Sequence, residues 1–195
     1  ERGVVPFLKV DKGLEEEADG GKLMKPISGL GELLERAKAK GIFGTKMRSV
    51  IERANPAGIA AIVEQQFAVA AEINRRGLMP IIEPEVSIKS PERADCDWIL
   101  RDQLVKALDA VPQGERVMLK LTIPAEAGLF DRLVALSGGY SRAEACAELA
   151  KNKGMIASFS RALLSDLKDQ MSDDEFAASL GSAIGDIYEA STVKI

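Results

Sequence analysis

A lysine lies inside a segment that is otherwise typical of a buried β-strand. Lys120 is flanked by apolar residues in the segment 116–122, and Pro124 closes this segment. Burial disfavours the charged form of a lysine and lowers its pKa, and the neutral amine can then attack a carbonyl carbon to form a Schiff base. A strand lysine can also extend its ammonium group to solvent along an apolar surface. The strand by itself leaves both interpretations of Lys120 open.

Two carboxylates form the second group that could do chemistry. Glu83 lies between Ile82 and Pro84 at a predicted strand end, where burial would raise the pKa of its carboxyl group toward neutrality. Glu85 would lie on the same side of the strand if the strand continues, and the like charge would raise one of the two pKa values further. The segment therefore suggests proton transfer, although a Glu-Pro-Glu segment is also compatible with a solvated loop.

Two further segments could bind an anion. Ser137, Gly138 and Gly139 place a hydroxyl group and closely spaced backbone N–H groups shortly before a predicted helix, and a helix N-terminus favours negative charge. Arg161, which follows Ser160, could add a bidentate guanidinium contact to the same anion. A Gly-Gly pair alone usually marks only a turn, so the prediction rests on the two segments together.

The composition limits the classes of protein to which the chain can belong. Its 195 residues are 46% hydrophobic and 29% charged, which is typical of a globular protein with one core. The net charge of −4 argues against a general affinity for nucleic acid or anionic membranes. Apolar runs fall short of the roughly 20 residues that span a bilayer, and nothing resembles a signal peptide, so we expect no membrane partner and a cytoplasmic location.

The counts of histidine and cysteine exclude several kinds of site. The sequence has no histidine, which removes Ser-His and Cys-His catalysis and the commonest zinc ligand. Cys96 and Cys146 are isolated in predicted helices, so we expect two reduced packing residues rather than a disulfide or a metal site. Any acid or base must then be Glu, Asp, Lys or Tyr.

Predicted strands and helices alternate about six times along the chain. Strands are predicted in 3–13, 41–51, 78–85, 116–122, near 136 and in 155–161, and helices in 30–40, 57–76, 91–110, 125–134, 141–151, from 162 onward and in 173–188. This alternation predicts an α/β fold with a parallel sheet, either a (β/α)8 barrel or an open doubly wound sheet. A GxGxxG dinucleotide motif is missing, and polar side chains at the end of every strand favour the barrel; they are Lys9, Lys46, Arg48, Glu83, Lys120, Ser137 and Arg161.

The chain is short for a complete barrel. A barrel has eight strands and typically about 250 residues, so we expect the two N-terminal strands to be absent from a single barrel domain over residues 1–195. Lys120 and Ser137 are only 17 residues apart, whereas a crossover with its flanking strands needs about 20 or more. The spacing therefore predicts a missing segment near 133–136.

Six motifs together resemble the bacterial branch of the class I, Schiff-base-forming fructose-bisphosphate aldolases. They are LKVDKG at 8–13, KMRSVI at 46–51, IIEPEV at 81–86, MLKLTIP at 118–124, LSGGYS at 136–141 and ASFSRAL at 157–163. The resemblance covers nearly the whole chain. It implies a (β/α)8 barrel that cleaves fructose 1,6-bisphosphate reversibly into dihydroxyacetone phosphate and glyceraldehyde 3-phosphate, without a metal or cofactor and as a possible homo-oligomer.

The resemblance also implies a role for each matching residue. Lys120 would form the imine, Glu83 would transfer protons, with Glu85 beside it, and Lys46 would lie beside the nucleophile and lower its pKa. A surface lysine paired with Glu52 is the alternative for Lys46. One phosphate of the sugar would bind Ser137, Gly138, Gly139, Ser160 and Arg161, and the other would bind Lys9 and Arg48.

The resemblance leaves the roles of two features open. Asp11 is expected to form a structural ion pair with Lys12 or Arg48. The animal branch ends in a tyrosine that assists proton transfer, whereas this chain ends in Ile195, so Tyr140 and Tyr188 are only candidates for that role. Two alternative functions stay open, a transaldolase-like Schiff-base enzyme and a non-catalytic barrel that binds sugar phosphates.

Overall fold

The computed structural model describes residues 3–195, which divide into two compact units. One unit ends at Leu119 and the other runs from Lys120 to Ile195. The elements of the described chain are β1 (Phe7–Lys9), β2 (Gly21–Lys22), α1 (Leu30–Ala39), β3 (Gly44–Lys46), β4 (Ser49–Ile51), α2 (Pro56–Arg75), β5 (Met79–Ile82), β6 (Pro84–Val86), α3 (Arg93–Asp109), β7 (Met118–Thr122), β8 (Val134–Leu136), α4 (Arg142–Ala150), β9 (Ile156–Ala157), α5 (Arg161–Leu164) and α6 (Asp173–Thr192). The single barrel domain over 1–195 stays a prediction.

The first unit is built on parallel strands with helices between them. β1 pairs with β3, β3 pairs with β5, and β5 pairs with Met118 and Leu119 at the start of β7. Helix α1 precedes β3 and helix α2 precedes β5, which confirms the predicted parallel crossovers. The buried residues of the main apolar core are Val10, Met24, Leu30, Leu34, Ala37, Met47, Ala70, Ile73, Leu78 and Ile82.

Two of the predicted strands are each divided in two. The segment 41–51 forms β3 and β4, and the segment 78–85 forms β5 and β6 with Glu83 between them. β4 pairs with β6 in parallel and with β2 antiparallel, so the second halves belong to a separate three-stranded sheet. The prediction of strands here is confirmed, but their continuity is wrong. Pro84 has no N–H group and cannot extend the hydrogen-bond ladder of β5.

Helix α2 begins and ends where local signals predict. The side chain of Asn55 accepts hydrogen bonds from the N–H groups of Ala57 and Gly58 at 2.9 and 3.2 Å, and Pro56 occupies the first turn. At the other end, Gly77 has a φ of 76° and donates to the carbonyl of Asn74 at 2.8 Å. Both boundaries therefore follow from residues at the helix ends.

The second unit also contains parallel strands. Lys120, Leu121 and Thr122 of β7 pair in parallel with β8, and β8 pairs in parallel with β9. The helix predicted for 125–134 is wrong, because residues 123–133 form turns in which Gly128 and Arg132 have φ values of 84° and 57°. This connection is near the lower limit for a parallel crossover, and the missing segment near 133–136 stays a prediction.

The helices of the second unit are fixed at their ends by side chains. α4 and α6 both begin with the capping-box arrangement, Ser141 with Glu144 and Ser172 with Glu175. The helix expected from residue 162 onward is short, because α5 ends at Leu164, and the helix predicted for 173–188 is confirmed by α6. No helix within residues 3–195 is long and apolar enough to cross a membrane.

Candidate functional site

An ion pair joins the ends of two neighbouring strands in the first unit. Lys46 ends β3, Glu83 directly follows β5, and the Lys46 Nζ atom lies 3.1 Å from Glu83 Oε2. The side chain of Glu83 is 4% exposed and that of Lys46 is 26% exposed. The solvated-loop interpretation of Glu83 is therefore wrong. The alternative pairing of Lys46 with Glu52 is also wrong, since Lys22 lies 3.9 Å from Glu52.

A second ion pair lies one pleat further along the same chain segments. The Arg48 Nη1 atom lies 3.1 Å from Glu85 Oε2, and Glu85 belongs to β6 of the small sheet. The like-charge pair expected for Glu83 and Glu85 depended on a continuous strand, and this condition is not met. Each of the two carboxylates has a different cation beside it.

Lys9 and Asp11 form a third pair at the end of β1. The Lys9 Nζ atom lies 2.6 Å from Asp11 Oδ1, and Asp11 is buried. The expectation of a structural ion pair for Asp11 is confirmed, but the expected partners, Lys12 and Arg48, are wrong. Residues two apart in an extended chain lie on the same side, which places Lys9 rather than Lys12 next to Asp11. Lys9 is also directly opposite Lys46 in the ladder between β1 and β3.

The second unit contains the predicted nucleophile. Lys120 lies within β7 directly opposite Val134 of β8, and it is half-buried. A half-buried lysine agrees with neither extreme expected from the sequence, because it is neither sequestered in the core nor fully extended to solvent. Its role as nucleophile stays a prediction.

The predicted phosphate-binding residues follow two paired strands of this unit. Ser137, Gly138 and Gly139 follow β8, whereas Ser160 and Arg161 follow β9, and the Ser158 N–H donates to the Ala135 carbonyl at 2.7 Å. Because parallel strands end at the same edge of a sheet, both segments leave the sheet at that edge.

The turn after β8 has positive φ values at its two glycines, a conformation that glycine adopts readily. Gly138 and Gly139 have φ values of 62° and 103°, and the Tyr140 N–H donates to the Ser137 carbonyl at 2.9 Å. Ser137 is buried and Tyr140 is half-buried. Tyr188, the other candidate tyrosine, is 69% exposed on α6. The turn therefore lies directly before the start of α4, and a helix N-terminus favours an anion.

One residue of the site was missed by the sequence analysis. Gln66 of α2 is fully buried, and its Oε1 atom accepts a hydrogen bond from the Glu83 N–H at 2.8 Å. A signal for it exists in the sequence, because Gln66 occupies the buried helical stripe that is otherwise apolar; the other members are Ile59, Ile62, Val63, Ala70 and Ile73. A polar residue on such a stripe requires a hydrogen-bond partner, and this requirement could have pointed to the site.

Comparison with known proteins gives the family of the chain. The class 1 fructose-bisphosphate aldolase of Synechocystis sp. is 54% identical over 197 residues, which cover 96% of this chain. The chain belongs to the class I fructose-bisphosphate aldolases. It spans 66% of the length of that aldolase. No protein-family model matches the chain.

A solved aldolase structure shows the fold. The fructose-bisphosphate aldolase of Plasmodium falciparum, determined in complex with TRAP and a small-molecule inhibitor, matches 96% of this chain and 69% of its own chain with a TM-score of 0.77. The two sequences are 21% identical, so this likeness concerns the fold alone. The predicted α/β fold is confirmed, and the strands and helices of this aldolase chain are those of a partial (β/α)8 barrel.

Proposed function

We propose that this chain carries the Schiff-base chemistry of a class I aldolase and cleaves fructose 1,6-bisphosphate reversibly into dihydroxyacetone phosphate and glyceraldehyde 3-phosphate. The observation that carries the proposal is the 54% identity with the class 1 aldolase of Synechocystis sp. over 96% of the chain. The ion pair between Lys46 and Glu83 supports it, because a carboxylate that is both buried and held beside an ammonium group is suited to proton transfer.

Lys120 is the proposed nucleophile. Its neutral amine attacks the C2 carbonyl carbon, and the resulting carbinolamine loses water to give an iminium ion. Removal of the proton from the C4 hydroxyl group breaks the C3–C4 bond, and the electron pair of that bond moves into the iminium to give an enamine. Glyceraldehyde 3-phosphate leaves as the aldehyde. Protonation of the enamine at C3 and hydrolysis by water then release dihydroxyacetone phosphate and restore the lysine.

Glu83 is the proposed acid and base for the proton transfers. In this role it protonates the carbinolamine hydroxyl group, which then leaves as water, and it accepts the proton of the C4 hydroxyl group. Lys46 holds the Glu83 carboxylate in place, and it could also donate a hydrogen bond to a substrate hydroxyl group. Glu85 is proposed to contribute to proton transfer only indirectly, because its carboxylate binds Arg48.

The two phosphates of the substrate would bind separate groups. One phosphate would accept hydrogen bonds from Ser137, Gly138, Gly139, Ser160 and Arg161, which follow the paired strands β8 and β9. The other would bind Lys9 and Arg48. These two cations lie beside Asp11 and Glu85 in the structure, so phosphate binding would compete with existing ion pairs.

The remaining parts of the proposal concern partners and location. The imine itself withdraws electrons from the C3–C4 bond, so the proposed reaction needs no metal and no cofactor. The partner is a sugar phosphate, and the proposed location is the cytoplasm, with assembly into a homo-oligomer as a further possibility raised by the family. Turnover that persists in EDTA would support the metal-independent reaction, and its loss would contradict it.

Borohydride trapping tests the proposed nucleophile. Reduction in the presence of dihydroxyacetone phosphate should add one stable adduct to the wild-type protein and to Lys40→Met, a control that removes an exposed lysine. Lys120→Met should gain no adduct. An adduct that persists in Lys120→Met would overturn the assignment, and a wild-type protein without any adduct would favour the non-catalytic binding protein. Faster turnover of transaldolase donors than of fructose 1,6-bisphosphate would support the transaldolase-like alternative.

A further inference from the structure

The backbone of Glu83 is held by a side chain from a neighbouring helix. Gln66 lies on α2 with 0% of its surface exposed, and its Oε1 atom accepts a hydrogen bond of 2.8 Å from the Glu83 N–H. Glu83 is itself 3% exposed. The contact is therefore closed to water, and a buried N–H group that lost this acceptor would be left without one.

This contact lies where the strand ladder is interrupted. The Met47 N–H donates to Ile81 and the Ser49 N–H donates to Glu83, at 3.4 and 3.1 Å, so the carbonyl side of the segment keeps its strand partners. β5 ends at Ile82, and the N–H group of Glu83 donates to Gln66 instead of to a neighbouring strand. Ser49 of β4 thus binds the carbonyl group of Glu83, and Gln66 of α2 binds its N–H group. The peptide groups on both sides of the Glu83 Cα atom are therefore fixed.

Packing alone does not explain a glutamine at this position. The residues around it on the buried stripe of α2 are apolar, and an apolar side chain of similar length would fill the same space. The Gln66 Nε2 atom is buried and has no hydrogen-bond partner among residues 3–195. Burial of an amide with one half unsatisfied is unfavourable, so the bond that the other half makes to Glu83 gives the residue its specific role.

We propose that Gln66 is a positioning residue that fixes the backbone of Glu83 and so keeps the Glu83 carboxylate against Lys46. This inference rests on the proposed role of Glu83 in proton transfer. Gln66 itself lies behind the backbone of Glu83 and acts only through that residue. Its loss should therefore slow the chemical steps and leave the binding of the sugar phosphate nearly unchanged.

The chain provides a matched control in the adjacent residue of α2. Gln65 accepts a hydrogen bond from the Met24 N–H and donates one to the Met24 carbonyl, both at 2.9 Å. Gln65→Met therefore makes the same chemical change as Gln66→Met and removes two backbone contacts, but it does so away from Glu83. A purely structural role predicts similar kinetics for the two variants.

Steady-state kinetics test the catalytic part of the inference. Gln66→Met should lower kcat by on the order of tenfold with KM within about twofold of wild type, because misplacing a catalytic group by about 1 Å can cost about 100-fold in rate. Gln65→Met should keep both constants within about twofold. Equal kcat values for the two variants of an active protein would overturn the inference alone, whereas an inactive wild-type protein would overturn the proposed function and the catalytic role of Gln66 with it.

Amide hydrogen exchange tests the contact independently of activity. In the wild-type protein and in Gln65→Met, the Glu83 N–H should exchange slowly with solvent deuterium. In Gln66→Met it should exchange at least about tenfold faster, while the N–H groups of α2 keep their rates. If Gln66→Met does not fold, the wild-type measurement still decides, because a Glu83 N–H that exchanges as fast as an unstructured amide would rule out the contact.

Discussion

The Lys46 ammonium group lies 3.1 Å from the carboxylate of Glu83, although Lys46 ends β3 and Glu83 follows the neighbouring strand β5. The pair lies where β5 ends and the chain passes into the small sheet through Pro84. Arg48 and Glu85 form a second pair at the same distance of 3.1 Å. The two pairs differ in burial, since the exposed fractions are 26% and 4% for Lys46 and Glu83 but 39% and 12% for Arg48 and Glu85.

This difference in burial predicts different coupling energies for the two pairs. A double-mutant cycle of Lys46→Met and Glu83→Gln, measured by urea unfolding, should give about 1–3 kcal/mol. The cycle of Arg48→Met and Glu85→Gln should give at most about 1 kcal/mol, because water screens the more exposed pair more strongly. Equal coupling energies would show that burial does not set the strength of the Lys46–Glu83 interaction.

Arg161 provides a test of the phosphate-binding residues. Arg161→Ala should raise KM for fructose 1,6-bisphosphate by at least about tenfold, because a charge-assisted hydrogen bond to phosphate contributes more than about 1.4 kcal/mol. Arg132→Ala is the control, since the Arg132 side chain is 90% exposed on the connection between β7 and β8. A KM that rises equally in both variants would indicate a general effect of charge rather than a specific phosphate contact.

From the hydrogen bonds of Lys194 we expect the C-terminal residues to stabilise the fold. Its Nζ atom donates to the carbonyls of Leu149, Met155 and Ala190 at 3.1, 2.8 and 2.7 Å, which ties α4 and the start of β9 to the end of α6. Lys194→Met should lower the free energy of unfolding by about 2 kcal/mol, because hydrogen bonds from a charged group are lost. Lys153→Met removes an exposed lysine nearby and should change it by less than about 0.5 kcal/mol.

The capping box of α4 predicts a dependence of stability on pH. Hydrogen bonds from Ser141 lower the pKa of Glu144 in the folded protein. A carboxyl group whose pKa is lowered by folding stabilises the folded state at pH values above its ordinary pKa. This stabilisation is lost as the pH falls through the lowered pKa. Ser141→Ala should therefore be destabilising at pH 7, and the difference from wild type should shrink steadily as the pH falls below the ordinary pKa of about 4.3.

Urea unfolding at several pH values checks this expectation. Ser172→Ala removes the equivalent contact at Glu175, whose pKa is lowered by the same kind of hydrogen bond, and it should follow the same pH dependence. A destabilisation that stays constant from pH 7 down to pH values well below about 4.3 would mean that the serine hydroxyl groups act only as neutral caps.

Local signals in the sequence determined the parts of the fold that depend on neighbouring residues. Asn55, Pro56 and Gly77 set the bounds of α2, and Ser141 with Glu144 set the start of α4, because the groups that end a helix lie within a few residues of it. The alternation of predicted strands and helices also determined the parallel α/β order, because a helix between two strands allows them to pair in parallel. The six motifs along the chain together also indicated the family.

Only the tertiary structure decided which side chains meet. The ladder between β3 and β5 brings Lys46 to Glu83, and the packing of α2 brings Gln66 to the Glu83 backbone. The apolar pattern also did not reveal that residues 123–133 form turns, because the spacing of their apolar residues fits buried turns as well as a helix. Such contacts depend on residues far apart in the chain and on the burial that follows from their packing, which no local pattern of residues records.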